Sequence, residues 1–454
     1  MIRLRTFPSP YLCVLGAALL SLTLSNVAAQ TPPDMIAPSG LNDQFIVSFV
    51  PGASAAERVE AARRAGATPL ADLGLIGALS VRIPGDAVLA ALQADSAVVK
   101  VTPDRRIFLL QAGPGPAGNN LLAETSEVVP AGVARVGEPA SGAEGTGVGI
   151  LIGDTGIDWT HPDLNVSTDT FDAFGGDCMD RHGHGTHVAG TAAALKNGIG
   201  VVGVAPGAKL YCGKVLSDTG SGSDSNIIQL LQWAVEKNAA GAEPPIRVIN
   251  LSLGRDKQDG DMDGPLREAI KAAHDAGVAV VVAAGNDANT EVKDQAPSGF
   301  PEVIAVASTT AEDGGASKCP FVARRISADT ASYFTTDGAF DQDSRIGVTV
   351  SAPGGTRESI NIFCRISCEG ILSTAIGGGT TTTLGGSAAC GTSMAAPHVA
   401  GLVARLIEAG INDVESIRAR LRLDAVNAGT SPFDSSSAAY TYDGEREGVA
   451  VWHP

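Results

Sequence analysis

Positive charge is scarce in this chain. Its 454 residues include 32 Lys or Arg against 49 Asp or Glu, a formal net charge of −17. That balance lacks the basic footprint of a nucleic-acid binder, so no nucleic-acid partner is expected. It suits an exported soluble protein that holds calcium. Beyond the N-terminus no apolar run is long enough to span a bilayer, and no internal repeat is visible. Charged residues are few, at 18%, but apolar ones reach 44%, so most of the chain should pack rather than stay disordered. The length allows one large domain and a smaller one. Glycine is plentiful at 55 residues, which suits tight turns and close backbone approaches.

The first 29 residues read as an export signal. Arg3 and Arg5 precede an apolar stretch from Tyr11 to about Leu24, and Val27-Ala28-Ala29 offers a cleavage site before Gln30. Polar Ser21, Thr23, Ser25 and Asn26 interrupt the stretch too early for a membrane anchor. The mature protein is therefore expected outside the cytoplasm, extracellular or periplasmic, where disulfides persist. Cys13 leaves with the signal. Cys178, Cys212, Cys319, Cys364, Cys368 and Cys390 remain, and their spacing leaves the pairing open.

Residues 30–43 read as a linker. Residues 44–110 carry a compact strand–helix–strand–helix–strand pattern: Gln44–Val50, Ser54–Ala65, Gly77–Ile83, Asp86–Ala94 and Ala97–Val101. Ser54 caps the first helix and Gly66 stops it, giving a small α+β unit. Residues 111–126 are a second linker. From 127 to 454, short Val/Ile runs alternate with glycine-punctuated helical stretches. The expected buried strands are Gly147–Asp154, Ala208–Leu216, Ile246–Gly254, Val278–Asn286 and Glu302–Thr309. This is the signature of an α/β fold with a mostly parallel sheet covered by helices on both faces. Ligands of such sheets sit at the carboxyl ends of strands.

Four chemically suited residues fall at such ends. Asp154 closes a strand in IGDTGID. His184 opens a helical stretch in HGTHVAGT. Asn286 follows a strand in VAAGN, and Ser393 opens a helix in CGTSMAAPHVAG. Ser393 could simply cap its helix. The small residues around it instead suggest that a substrate must approach its oxygen. A serine hydroxyl needs a base to become a nucleophile, histidine is suited by its pKa, and a buried carboxylate fixes the imidazole. The Ser393 amide and the Asn286 side chain could face a developing oxyanion. Asp158 lies beyond the turn and shapes it; His182, His187 and His398 read as loop, buried structural and packing residues. Cys390 as a nucleophile is the alternative, against disulfide bonding or burial.

IGDTGID, HGTHVAGT and GTSMAAPHVAG, in that order and with INLSLG and AAGN between them, closely resemble the subtilisin-like serine proteases. The resemblance runs from about Glu127 to Ala409, and more weakly over 44–108, which looks like the family's propeptide. It implies an Asp154–His184–Ser393 triad with Asn286 as oxyanion donor. It implies an acyl-enzyme mechanism on polypeptide substrates and a propeptide that assists folding and inhibits until autocatalytic removal between about Ile107 and Ser126. A monomer is expected.

The resemblance further implies substrate walls at Gly220, Ser221 and Gly222 and at Ser252, Leu253 and Gly254. Ala283, Ala284 and Gly285 would line a roomy pocket for the side chain before the cut bond. Asp224 would border an outer pocket. A calcium site would use the Asn197 side chain, the carbonyls of Leu195, Ile199 and Val201, and the carboxylates of Asp163 and Glu127; oxygen donors of this kind suit calcium. DGDMDG, Asp259–Gly264, resembles the start of an EF-hand loop, but Ile270 stands where a bidentate Glu is needed, so a solvated acidic turn is expected. Two other functions share these motifs: a binding protein that has lost turnover, and a ligase transferring the acyl group to an amine.

Overall fold

The computed structural model describes residues 41–110, 126–139, 143–320, 325–427 and 448–453. The expected signal, Cys13, most of the first linker and nearly all of the second lie outside these residues.

The N-terminal unit contains β1 (Gln44–Phe49), α1 (Ala55–Ala65), β2 (Thr68–Leu73), β3 (Ala78–Arg82), α2 (Asp86–Ala94) and β4 (Val98–Pro103). Its strands form an antiparallel sheet in the order β2-β3-β1-β4. Ser54 and Glu57 make a reciprocal capping box at the start of α1, and Gly66 ends it at φ 91°. Strand alternation gives the sheet two faces. Val47, Phe49, Leu79 and Val81 meet Ala61, Ala62 and Leu92 of the helices. Ile46, Leu73 and Ala78 join a core shared with two helices of the larger unit. β2 was not anticipated, because TPLADL has mostly small or polar residues and is half exposed.

β5 (Arg106–Leu109) follows, then α3 (Ala131–Val136), β6 (Gly149–Asp154), β7 (Val166–Asp172), α4 (His184–Ala193), β8 (Lys209–Lys214), β9 (Ser221–Ser223), α5 (Asp224–Ala239), β10 (Ile246–Leu251), β11 (Leu253–Asp256), α6 (Pro265–Asp275), β12 (Ala279–Ala283), β13 (Gln295–Ala296), β14 (Ile304–Thr310) and β15 (Val350–Gly355). Three short hairpins come next: β16 (Arg357–Ile360) with β17 (Ile366–Glu369), β18 (Ser373–Ala375) with β19 (Gly379–Thr381), and β20 (Thr383–Leu384) with β21 (Ser387–Ala388). The helices α7 (Thr392–Glu408) and α8 (Val414–Asn427) complete the described elements.

Seven strands form one parallel sheet, ordered β15-β14-β12-β10-β6-β8-β7. Ile150 and Ile152 of β6 face a core with Val188 and Ala192 of α4 and Val399 and Val403 of α7. Leu151 between them faces Ile227 and Leu231 of α5 and Ile270 of α6. Both faces are thus dry, as the unbroken apolar runs require. β7 and β15 extend the expected sheet at its two edges, where polar and Gly/Pro-containing sequence gives little signal.

The strand expected over Ile246–Gly254 is two strands. β10 ends at Leu251, while its parallel neighbours β6 and β12 run on to Asp154 and Ala283. β11 then pairs antiparallel with β5 and β13. At the break, the Ser252 hydroxyl donates to the Ser393 carbonyl at 2.9 Å.

The disulfides join Cys178 to Cys212, Cys319 to Cys364 and Cys368 to Cys390. The second ties residues 312–347 to the β16–β17 hairpin. The third anchors that hairpin beside Ser393, and it removes Cys390 from consideration as a free thiol. Among the described residues, no helix is long and apolar enough to cross a membrane.

Candidate active site

Asp154 closes β6 with its carboxylate fully buried. His184 opens α4, and its Nδ1 lies 2.8 Å and 3.0 Å from the two Asp154 oxygens. The Thr155 amide donates to Asp154 at 2.7 Å. Gly185 permits this approach, since a β-carbon there would fall 2.1 Å from the Gly156 carbonyl and 3.1 Å from the Asp154 β-carbon. The turn into α4 is wound around a second carboxylate that the sequence motifs did not single out. Asp180 accepts from the amides of His182, Gly183 and Thr186 at 2.9 Å each, and from the hydroxyls of Thr155 and Thr186 at 2.9 and 2.7 Å. His184 Nε2 is buried and has no hydrogen-bond partner among the described residues.

Ser393 is the second residue of α7, a helix that packs against α4. Asn286 is held by the residue before it. The Thr392 amide and hydroxyl each donate to Asn286 Oδ1 at 2.9 Å. The amide nitrogen Nδ2 is left buried with no partner among the described residues, a fixed donor with nothing yet to bind. Thr392 was missed because its role depends on a contact to another strand's end.

The cleft holds part of the chain itself. β5 lies between β9 and β11, antiparallel to both. Arg106, Ile107 and Phe108 register with Ser223, Gly222 and Ser221, while Phe108 and Leu109 register with Gly254 and Leu253. The Leu109 amide donates to the Gly220 carbonyl at 3.1 Å and the Leu110 amide to the Ser252 carbonyl at 3.4 Å. The strand ends with the Leu110 carbonyl accepting a short hydrogen bond from Ser393 Oγ. That hydroxyl also reaches the Ser252 carbonyl at 3.0 Å.

Side chains fill the walls in turn. The Leu110 side chain lies against Gly254, where a β-carbon would meet it at 3.0 Å. Leu109 lies against Gly220, leaving no room for a side chain there. Ile107 is fully buried, in the core that includes Leu216, Ile227 and Leu253. Ala283 ends β12, and Ala284 and Gly285 lead directly to Asn286, all three buried. β5 was not expected as a strand, because RIFL is only a short run between Asp104 and a loose linker.

His187 and His398 are buried structural residues. His187 Nε2 bonds the Ile371 carbonyl at 2.9 Å and His398 Nδ1 the Met394 carbonyl at 2.8 Å. Burial pushes both imidazoles down to about 4, so both stay neutral.

Two expectations require correction. Asp224 does not present a free charge to an outer pocket: it is buried and paired with Arg255 at 2.7 Å. The Asp259–Gly264 turn is not simply solvated, because Asp261 is only 3% exposed and bonded to two arginines.

Glu127, Asp163 and the 195–201 loop come together. Glu127 accepts from the Gly198 amide at 2.7 Å, Asn197 Oδ1 from the Ile199 amide at 3.1 Å and Asp163 Oδ2 from the Val201 amide at 3.0 Å. The Leu195 amide donates to the Asp163 carbonyl at 3.0 Å. Asp163 Oδ1 is buried without a hydrogen-bond partner among the described residues. Burial raises Asp163 to about 6, Val201 and Asn197 counteract by hydrogen bonding, and the Glu127 charge adds to the rise. Carboxylate, amide and carbonyl oxygens of this kind, one of them orphaned, are the donors a hard cation takes. No group of three or more His, Cys, Asp or Glu gathers for a metal among the described residues.

Residues 145–437 match the subtilase family, peptidase S8. The M-protease of Shouchella clausii (strain KSM-K16) is 36% identical over 285 residues, covering 62% of this chain and 60% of that protein. Subtilisin Savinase of Lederbergia lenta is likewise 36% identical over 285 residues, covering 62% of this chain and 84% of the relative. The match thus spans about 60% of several of these relatives' own length. Among solved structures, fervidolysin from Fervidobacterium pennivorans, a keratinolytic enzyme related to subtilisin, superposes with a TM-score of 0.61 at 25% identity, over 90% of this chain and 60% of that one. With the parallel sheet, the buried Asp154–His184 pair and the family match over most of the larger unit, the chain belongs to the subtilase family.

Proposed function

We propose that this protein is an exported serine endopeptidase made as a self-inhibited precursor. The observation that carries the reading is the seating of β5: the chain's own strand pairs with both cleft walls and delivers the Leu110 carbonyl to the Ser393 hydroxyl. A bound polypeptide substrate would enter the same way, as an added strand.

In the reaction, Ser393 Oγ attacks the substrate carbonyl carbon while His184 Nε2 takes its proton. Asp154, on Nδ1, holds the tautomer and offsets the imidazolium charge. The carbonyl oxygen becomes an oxyanion, which Asn286 Nδ2 and the Ser393 amide stabilise. The tetrahedral species collapses, the peptide C–N bond breaks, and His184 returns the proton to the departing amine. Water repeats the sequence on the acyl-enzyme and frees the acid.

Residues 44–110 act as the intramolecular inhibitor, and the bond they present is Leu110–Gln111. Substrates with a large apolar residue before the cut bond, and an apolar one three residues earlier, would match Leu110 and Ile107. The enzyme works as a monomer outside the cytoplasm. Glu127, Asp163 and Asn197, with the carbonyls of Leu195, Ile199 and Val201, would hold a structural calcium ion. The buried, unpartnered Asp163 oxygen supports this.

The direct test is labelling of the full chain with a fluorophosphonate. Peptide mapping should place the adduct on Ser393, and His184→Ala should abolish it. An adduct elsewhere, or none in a preparation that cleaves casein, would refute the assignment.

A further inference from the structure

The Asp259–Asp263 turn is not used by the reaction, yet it is built as a receptor. It follows β11, one wall of the cleft, and runs into α6. Asp261 accepts from Arg255 Nη1 on Oδ2 at 2.7 Å, from Arg255 Nη2 on Oδ1 at 3.0 Å, and from the Gln258 amide on Oδ2 at 2.7 Å. Arg255 is also bidentate on Asp224, at 3.1 and 2.7 Å. Two buried carboxylates therefore share one guanidinium. Burial raises Asp224 to about 6, Arg255 counteracts, and Asp104 and Asp261 add to the rise. Asp261, by contrast, lies below the usual range: burial pushes it up, but hydrogen bonds from Arg255 and Gln258 outweigh that. Among these groups the turn keeps one negative charge in excess of its own arginine.

A second guanidinium is seated on that excess. Arg105 Nη1 donates to Asp261 Oδ1, and its Nη2 to the Asp259 carbonyl at 2.9 Å. Arg105 immediately precedes β5, the strand in register with the cleft walls. Counting back from Leu110, it occupies the sixth position upstream of the Leu110–Gln111 bond. Its neighbour Asp104 anchors the same approach, accepting from the Ser225 amide at 3.0 Å and hydroxyl at 2.6 Å at the start of α5. The two acceptors for Arg105 sit on different residues and are met by different nitrogens, so a planar fork reaches both at once, whereas an ammonium would have to bridge them from a single atom.

We infer that Asp261, presented by Arg255 and Gln258 and paired with the Asp259 carbonyl, is a distal specificity subsite for a guanidinium six residues upstream of the cut bond. This rests on the peptidase reading and extends it to substrate choice: arginine at that position is favoured over lysine and neutral residues.

The test uses the full chain after it has developed activity, with internally quenched peptides carrying Ile-Phe-Leu-Leu before the cut bond. The sixth upstream residue is Arg, Lys or citrulline, a neutral isostere of arginine. The kcat/KM for the Arg peptide should exceed that for citrulline on the order of tenfold, with Lys between. The ratio should shrink as salt rises, and in Asp261→Asn it should fall towards unity. The Arg/citrulline comparison in the unmodified enzyme decides the matter even if Asp261→Asn fails to fold. Equal rates for the two peptides overturn the subsite and leave the peptidase reading intact. Cleavage of none of them overturns both.

Discussion

Thr392 gives both of its donors to one oxygen of Asn286, and that fixes where the Asn286 NH2 group points. Asn286→Ala should therefore lower kcat by roughly 10²–10³ with little change in KM, a magnitude carried over from subtilisin itself rather than derived from this geometry. Thr392→Val keeps the amide bond, loses the hydroxyl bond to Asn286 and strips the buried Gly285 amide of the hydroxyl it donates to at 3.2 Å. It should lower kcat by roughly ten- to thirtyfold, since a neutral hydrogen bond is worth about 1 kcal/mol and two are lost. Steady-state kinetics on one peptide checks both, and a larger loss in Thr392→Val than in Asn286→Ala would contradict the assignment. Asp154, His184, Asn286 and Ser393 could be singled out at this scale as candidates because each sits in a motif at a strand or helix end. Asp180 and Thr392 were not, because their work is hydrogen bonding to partners that only folding brings near.

Elements were legible where burial repeats in the sequence. β12 is apolar throughout, β6, β8 and β14 each hold an apolar run of three or four residues, and α1 carries its own cap and stop. β2, β5 and β7 are short or polar and gain their partners from tertiary context. β5 is the most consequential of them. Ile107 is its fully buried anchor, and Ile107→Ala removes contacts worth about 2–5 kcal/mol. The full chain carrying it should show peptidase activity after a shorter lag than the parent. An unchanged lag would mean that β5 does not limit release.

β16 carries a separate, pH-dependent feature. Glu358 is buried, with Oε1 accepting from the Tyr333 amide at 3.1 Å and Oε2 unpartnered among the described residues. Burial pushes its carboxyl up to about 8, against the hydrogen bonds from Tyr333 and Ser332. The folded state therefore keeps a proton that the unfolded chain gives up at its ordinary value. This contribution to stability is complete below about pH 4.5 and is withdrawn as pH rises towards about 8. Glu358→Gln should flatten that fall, so its Tm relative to the parent should improve from pH 5 to pH 8. A constant difference across that range would refute the assigned cause.

At the scale of the molecule, a parallel sheet must join strands distant in sequence, which makes folding slow. The N-terminal sheet packs its second face on α5 and α6 and is followed by β5 between β9 and β11, so it covers apolar surface and, on the function proposed above, blocks the site. The alternation of runs and helices made the architecture legible from sequence; the docking of the two sheets was not, because no local pattern encodes it. Calcium should add to the same frame. At free calcium about a hundredfold above Kd, binding would stabilise by about 2.7 kcal/mol. A chelator should lower Tm in the parent and leave Asp163→Asn nearly unaffected, and equal responses would contradict the site.

The central claim is that Ser393 cleaves the strand it holds. The full chain and its Ser393→Ala variant, purified alike, should be followed by intact mass and N-terminal sequencing. The account predicts a fragment beginning at Gln111 from the parent and none from the variant. The same fragment from Ser393→Ala, at a similar rate, would contradict it.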